Sequence, residues 1–326
     1  MSLVRLLLSL FGSLMAGAMA LAFAGMVILA QGGRSSPRLD VITHFAPVWL
    51  VGGLAALVWA LLMRPGLARR AIAAFAGIAV IGAITLILPE MTRKTSPVAP
   101  AGLPGQIRLI QFNTWGRNEK VAETADWIVA QAPDLITLEE ATPQMRDAIL
   151  ARGRFHVACG NCSVMILSRL KPVSEAIPHR TRSGPRPPMA YAEYRTEGRT
   201  FGVLVTHFTW PTDGGNQQIQ GQHVADVLKQ FPPETMILAG DFNSTPWSFT
   251  RRAQDRMFGL ERRTRALMSW PAAPVSRHRI ALPFPFLAID HVYAGSGWRT
   301  VKVRRGPKLG SDHYPVVVDL VPTSSD

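Results

Sequence analysis

Six places in the later part of the chain end a short apolar run with a carboxylate, an amide or an imidazole. Asn113 follows RLIQF, Glu139 and Glu140 follow LITL, and His207 follows VLVT. Asp241 and Asn243 follow ILAG in GDFNSTP, Asp290 and His291 follow LAI, and Asp312 and His313 stand in GSDHYPV. A single carboxylate at the end of a strand is usually a cap or turn residue. Six such sites together point to a constellation. Carboxylate and amide oxygens suit hard cations such as Mg²⁺ or Ca²⁺, whereas thiolates or several histidines would suit zinc. Asp and His are also what phosphoryl hydrolysis needs: a base for water and a donor for the oxygen that carries charge.

Such residues need a scaffold that brings strand ends together. Residues 107–112, 135–138, 164–167, 201–206, 236–239, 289–293 and 314–320 read as strands, rich in Val, Ile, Leu and Phe. Residues 119–131 read as a helix, with Val121, Ala125, Ile128 and Val129 on one face, and 217–230 as a second. About 220 residues of alternating strands and helices predict one α/β domain with a substantial core.

The motifs QFNTWG, LITLEEA, VTHFTWP, ILAGDFNSTPWS, AIDHVY and GSDHYPV occur in that order between Gln106 and Val321. This series resembles the endonuclease/exonuclease/phosphatase superfamily, with its deoxyribonuclease I-like nucleases, sphingomyelinases and inositol-polyphosphate phosphatases. GDFN and the terminal SDH are the most specific pieces. The resemblance implies a four-layer α/β/β/α sandwich and metal-dependent hydrolysis of phosphoesters, with Mg²⁺ as cofactor and Mn²⁺ as its substitute. It also implies roles. Glu140 is the main metal ligand, with Asn113 beside the metal and Asp312 contributing to metal or water binding. Asp241 is the base for the attacking water, and Asn243 holds substrate and nucleophile. His313 contacts the scissile phosphate, its tautomer fixed by Asp290. His207 is a donor to the leaving oxygen or phosphate; the apurinic-endonuclease branch lacks a histidine there, which lowers DNA repair in the ranking. Glu139 departs from the Gln common at that position. Its charge would strengthen metal binding or, pointing away, do nothing.

The first hundred residues are a different object. They hold 10 of the chain's charged residues, against 47 in the remaining 226. The stretches 6–33, 41–63 and 71–89 lack Asp, Glu, Lys and Arg altogether. Each reaches or approaches the ~20 apolar residues that cross a bilayer as a helix, which predicts three transmembrane helices at about 6–30, 45–63 and 71–89. The first run is too long for a cleaved signal core. Residues 1–94 thus form a membrane region, 95–105 (TSPVAPAGLPG) a stiff linker, and 106–326 the catalytic domain. Three arginines in the loop 64–70 favour a cytoplasmic loop there. That places the catalytic domain outside the cytoplasm, in a multi-pass protein of the cell membrane.

The net charge of +13 divides between the two objects: a surplus of six in the first hundred residues, seven in the rest. The second surplus suits a phosphate-bearing substrate, nucleic acid or phospholipid headgroup; no protein partner is inferable. The basic runs at 179–186, 262–265, 277–279 and 302–305 read as solvated surface. Trp115, Trp210 and Trp247 lie close to the candidate residues, and stacking on substrate (Trp247 foremost), lipid contact or packing are all open to them. Cys159 and Cys162 are too few for a zinc site and read as a tight disulfide or two free thiols. The competing functions are a nuclease outside the cytoplasm, a lipid-headgroup phosphodiesterase or phosphatase, and an inactive membrane-tethered binding module.

Overall fold

Strand β1 (Ile107–Asn113) is buried along almost its whole length because it runs through the middle of a sheet covered on both faces. The computed structural model describes residues 3–158, 163–178, 182–196, 199–212, 214–272 and 284–323. They fall into two compact units, one of residues 1–93 with 246–251, the other of residues 94–245 with 252–326.

In the larger unit the described strands form two six-stranded sheets. The first holds β1, β2 (Leu135–Glu139), β3 (His156–Ala158), β4 (Val164–Ser168), β11 (Trp298–Arg305) and β12 (Val316–Pro322), in the order β11-β12-β1-β2-β4-β3. The second holds β5 (Ser174–Ala176), β6 (Met189–Thr196), β7 (Arg199–His207), β8 (Met236–Asp241), β9 (Glu261–Arg262) and β10 (Asp290–Ala294), in the order β5-β6-β7-β8-β10-β9. Alternate residues of each strand face the other sheet. Leu109, Leu135, Val203, Val205, Ile237, Ala239, Val292 and Val318 build that shared interior.

The outer faces are covered by helices. Ala125 and Ile128 of α5 (Val121–Ala130) and Met145 and Ile149 of α6 (Pro143–Leu150) pack on Ile110, Phe112, Ile136 and Leu138. Val224, Ala225, Val227 and Leu228 of α7 (Gly214–Leu228) pack on Leu204, Leu238 and Tyr293. The elements therefore stack helix, sheet, sheet, helix. The β1–α5–β2 and β7–α7–β8 crossovers make β1 parallel to β2 and β7 parallel to β8. Helix α5 begins two residues later than its apolar period suggests, and α7 begins three earlier. The run at 262–265 is a correction. Arg262 and Arg263 are buried: Arg262 pairs with Asp255 at 3.0 Å, and Arg263 donates to the carbonyls of Ala294, Gly295 and Trp298. Residues 277–279 and both cysteines lie outside the described residues.

The smaller unit is built from α1 (Leu3–Gln31), α2 (Pro37–Thr43), α3 (Ala46–Leu62) and α4 (Leu67–Met91). Ala16, Ala20, Ala56, Ala60 and Ala76 let the three long helices approach closely. A Cβ on Gly52 would lie 1.9 Å from the Phe23 ring, so only glycine fits there. The outward positions, Leu7, Leu14, Val51, Leu62, Ile81 and Leu88 among them, are exposed and apolar. Two helical stretches, Leu7–Arg34 and Leu67–Met91, are long and apolar enough to cross a membrane. The middle span differs from expectation. It is α3 alone, 17 residues, or α2 and α3 together as one broken span bent by 54°; Pro47 in the first turn of α3 marks the restart. Residues 246–251 belong to this unit, and Asp40 anchors them. Its carboxylate accepts from the backbone N–H groups of Phe249 and Thr250 and from Ser248 Oγ, each at 2.8 Å.

Candidate functional site

Strand register assembles the site. Asn113 pairs with Glu139, His207 with Asp241, and Asp290 with Asp241. Asn113 continues the inward face of Leu109, His207 that of Val205, and Asp241 that of Ala239. The polar cluster is thus the open end of the interior between the sheets, where apolar residues give way to carboxylate, amide and imidazole.

Two backbone features shape it. Glu140 has φ 47°, a left-handed conformation that non-glycine residues rarely adopt. Consecutive strand residues point to opposite faces, and this turn brings Glu140 back toward Asn113, whose Nδ2 donates to Glu140 Oε1 at 3.1 Å. Gly240 of GDFN is the second feature. A Cβ there would lie 1.9 Å from the Thr206 carbonyl oxygen on the neighbouring strand.

Asp241 is at the centre and 1% exposed. Its Oδ2 accepts from Asn113 Nδ2 at 3.1 Å and lies 3.5 Å from both His207 Nε2 and His313 Nε2, while Oδ1 accepts from the Asn243 backbone N–H at 2.8 Å. Burial pushes Asp241 up to about 6, with the Asp290 charge helping and the imidazoles of His313 and His207 opposing. His313 Nδ1 lies 2.8 Å from Asp290 Oδ2. Burial disfavours the imidazolium, yet Asp290 and Asp241 hold His313 up to about 10. In return, against the cost of burial, His313 holds Asp290 below its ordinary range. His313 is the charged partner at neutral pH.

Asn243, with φ 47°, donates from Nδ2 to the Phe208 carbonyl at 2.9 Å and reaches His207 Nε2 at 3.4 Å. Ser311 Oγ donates to the Asn113 carbonyl at 2.7 Å and accepts from the His313 N–H at 3.0 Å, which ties the SDH turn to β1. Asp312 accepts from Trp270 Nε1 at 3.2 Å, and burial raises its carboxyl. Its other oxygen, Oδ1, is buried with no hydrogen-bond partner.

Asn113, Glu140, His207, Asp241, Asn243, Asp290, Asp312 and His313 are therefore all in or beside one cluster. Trp247 is not. It is 1% exposed, and its indole N–H donates to the His44 carbonyl at 3.1 Å, so it packs in the smaller unit and offers no face to a substrate. Trp210 is 58% exposed and meets Trp270 edge to face. Two residues of the cluster, Gln111 and Ser311, escape a reading of strand ends. Gln111 bridges Glu139 and Asp290 with its amide. Ser311 holds the SDH turn. His291, buried, links Thr264 at its Nδ1 to the Ser244 carbonyl at its Nε2, and so supports the turn after Asn243. Gln111 carries a signal: it interrupts the apolar run of residues 109–112 in a central strand, with the parity of Asn113.

Among the described residues, Asp241, Asp290 and His313 have ligand atoms within 4.8 Å of one another, close enough to hold a metal ion. Within that trio Asp290 Oδ2 and His313 Nδ1 already satisfy each other at 2.8 Å. The remaining carboxylates are Glu140, which is 38% exposed at its side chain, and Asp312 with its bare Oδ1. Both offer oxygen, which fits a hard divalent cation; Asn113 stands beside Glu140 with its Nδ2 toward that carboxylate and its Oδ1 on the Trp115 N–H.

Several solved structures share this fold. Zebrafish TDP2 (D. rerio), solved with a single-stranded DNA product, superposes with a TM-score of 0.53 at 14% identity, covering 66% of this chain and 98% of that one. Sphingomyelinase C from Streptomyces griseocarneus gives 0.50 at 18% identity, covering 66% and 99%. A beta toxin variant from Staphylococcus aureus with bound magnesium ions gives 0.51 at 13%, covering 67% and 100%. No curated protein matches the chain in sequence. The profile of the Endonuclease/Exonuclease/phosphatase family matches residues 110–313, more than half of the chain and the stretch that holds every residue of the cluster. This chain belongs to the endonuclease/exonuclease/phosphatase family.

Proposed function

We propose that the protein is a membrane-anchored, Mg²⁺-dependent phosphoesterase that cleaves a phosphodiester by attack of water on phosphorus. The observation that carries this reading is the buried Asp241 carboxylate, raised to about 6, held 3.5 Å from an imidazole raised to about 10. A base poised near neutrality beside a fixed cation is what in-line displacement at phosphorus uses. Asp241 takes the proton of the attacking water. His313, oriented by Asp290, donates from Nε2 to a non-bridging phosphate oxygen. Asn243 and His207 donate to the phosphate and to the oxygen that leaves. Glu140 and Asp312, with Asn113 beside them, would hold the cation, which when bound neutralises the charge that develops on the phosphoryl oxygens.

The apolar helices favour a substrate presented at a bilayer, so a phospholipid headgroup ranks above nucleic acid. On this reading the catalytic domain is extracytoplasmic; protease added to intact cells would remove it, and full protection would reverse the orientation. The full-length chain, reconstituted in nanodiscs, would be offered bis(p-nitrophenyl) phosphate, sphingomyelin and phosphatidylinositol vesicles, and single- and double-stranded DNA, each with Mg²⁺ and with chelator. Turnover abolished by chelator and by Asp241→Asn is the expected result. Undiminished turnover in Asp241→Asn would remove the proposed base, and no turnover on any substrate would favour a binding module.

A further inference from the structure

Behind the site lies a hydrogen-bonded chain that the proposed reaction does not itself use. Gln111 sits on β1 two residues before Asn113, on the same inward face, and is wholly buried. Its Nε2 donates to Glu139 Oε2 at 2.8 Å and to Asp290 Oδ1 at 2.9 Å. A side-chain amide has two N–H donors, and both are engaged here. Asp290 then uses its other oxygen, Oδ2, on His313 Nδ1. One amide thus connects the last residue of β2, in the first sheet, to the first residue of β10, in the second.

Without that bridge the buried carboxyls of Glu139 and Asp290 would share no hydrogen-bond donor between them. With it, the Asp290 carboxyl is gripped at both ends and its plane is fixed. Packing alone does not account for the arrangement. Gln111 Oε1 and Glu139 Oε1 are both buried without a hydrogen-bond partner, a pattern that apolar residues of similar size would avoid. The acid at 139 also departs from the family's usual Gln, and here it accompanies an amide at 111.

We propose that Gln111 and Glu139 are a positioning pair for the Asp290–His313 couple: they hold the Asp290 carboxyl in the one orientation from which it aims His313 Nε2 at the phosphate. This rests on the reading of His313 as the phosphate-contacting group.

The test uses the full-length chain in nanodiscs with Mg²⁺ and bis(p-nitrophenyl) phosphate. Gln111→Leu keeps the volume and removes the donor. It should lower kcat roughly tenfold to hundredfold, the size of effect seen when the support of an active-site ligand is lost, and leave KM within about twofold. Glu139→Gln, which keeps an oxygen toward Gln111, should retain activity that Glu139→Leu loses. In an Asp290→Ala background, Gln111→Leu should add almost no further loss, since the group it positions is gone. A second readout needs no turnover. The downfield proton resonance of His313 Nδ1–H, identified by its absence in His313→Gln, should shift or broaden in Gln111→Leu. If wild type hydrolyses the diester while Gln111→Leu leaves kcat and that resonance unchanged, the pair has no positioning role. A full multiplicative loss in the double variant would assign Gln111 to the general fold instead. Should wild type fail to turn over, the proposed reaction falls, and the resonance alone still decides whether Gln111 orients the couple.

Discussion

The Asp290 carboxylate and the His313 imidazole lie 2.8 Å apart, both almost wholly buried, on segments that are 23 residues apart in the chain. Each shifts the other toward its charged form. This gives opposite pH signatures that can be worked out in sign. The folded value of His313, about 10, lies above its ordinary 6.5, so its contribution to stability is complete below about 6.5 and is lost as pH rises through about 10. Asp290 is depressed, so its contribution is present above the ordinary carboxylate range and is lost as pH falls below it. Asp241 is raised, so keeping it ionised opposes stability above about pH 6.

Turnover should therefore rise through about pH 6, as Asp241 ionises, and fall through about pH 10, as His313 loses its proton. Asp290→Asn keeps the shape and removes the charge. Its alkaline limb should move to lower pH, and kcat should drop by about 10² or more. A pH–rate profile of wild type and variant decides this; an unmoved alkaline limb would mean that His313 does not need Asp290 to stay charged.

The Glu140 side chain is 38% exposed, so a cation can reach its carboxylate from solvent. Glu140→Gln should raise the Mg²⁺ concentration needed for half-maximal activity by about tenfold to a hundredfold. Asp312→Asn should raise it less, because its unpartnered oxygen is buried. Isothermal titration with Mg²⁺ in the absence of substrate provides the comparison. Equal affinities across wild type and both variants would move the cation elsewhere.

Gly240→Ala tests the fold beneath the chemistry. The added methyl would sit 1.9 Å from the Thr206 carbonyl oxygen, and a backbone atom in a central strand cannot swing away as a side chain can. Separation of β7 and β8 is the only relief, so a loss of about 1–3 kcal/mol or more is expected. Activity should fall with it, because His207 and Asp241 face each other across that pair. Urea denaturation measures the first effect, and an unchanged midpoint would contradict the overlap.

How far the sequence reveals this arrangement depends on the kind of strand. β1, β2, β4, β8 and β10 are central and covered on both faces, so each reads as an apolar run within a residue or two of its observed ends. β11 does not. It is an edge strand of sequence WRTVKVRR whose basic residues face solvent, and no apolar run marks it. Helix α8 (Phe249–Phe258), FTRRAQDRMF, is hidden for a similar reason. Residues at strand ends were legible as a group because register carries them to one place. Gln111 was not, since its role appears only when two sheets meet over it. The Arg262–Arg263 pair misleads in the other direction: the charge suggests surface, yet Asp255 and three carbonyls satisfy it inside.

Asp40 offers a test in the smaller unit. Its two oxygens accept the N–H groups of Phe249 and Thr250, in the first turn of α8, as well as the Ser248 hydroxyl. An anion at a helix N-terminus is favoured by hydrogen bonding and by the helix dipole together. Asp40→Ala would leave these buried donors bare and should cost about 1–2 kcal/mol, the range for loss of an N-cap. Asp40→Asn keeps the acceptor and loses the charge, so it should fall between the two. The clearest measurement is limited proteolysis at residues 246–251 in nanodiscs, where cleavage should quicken in the order wild type, Asn, Ala. Identical rates in all three would show that α8 starts without help from Asp40.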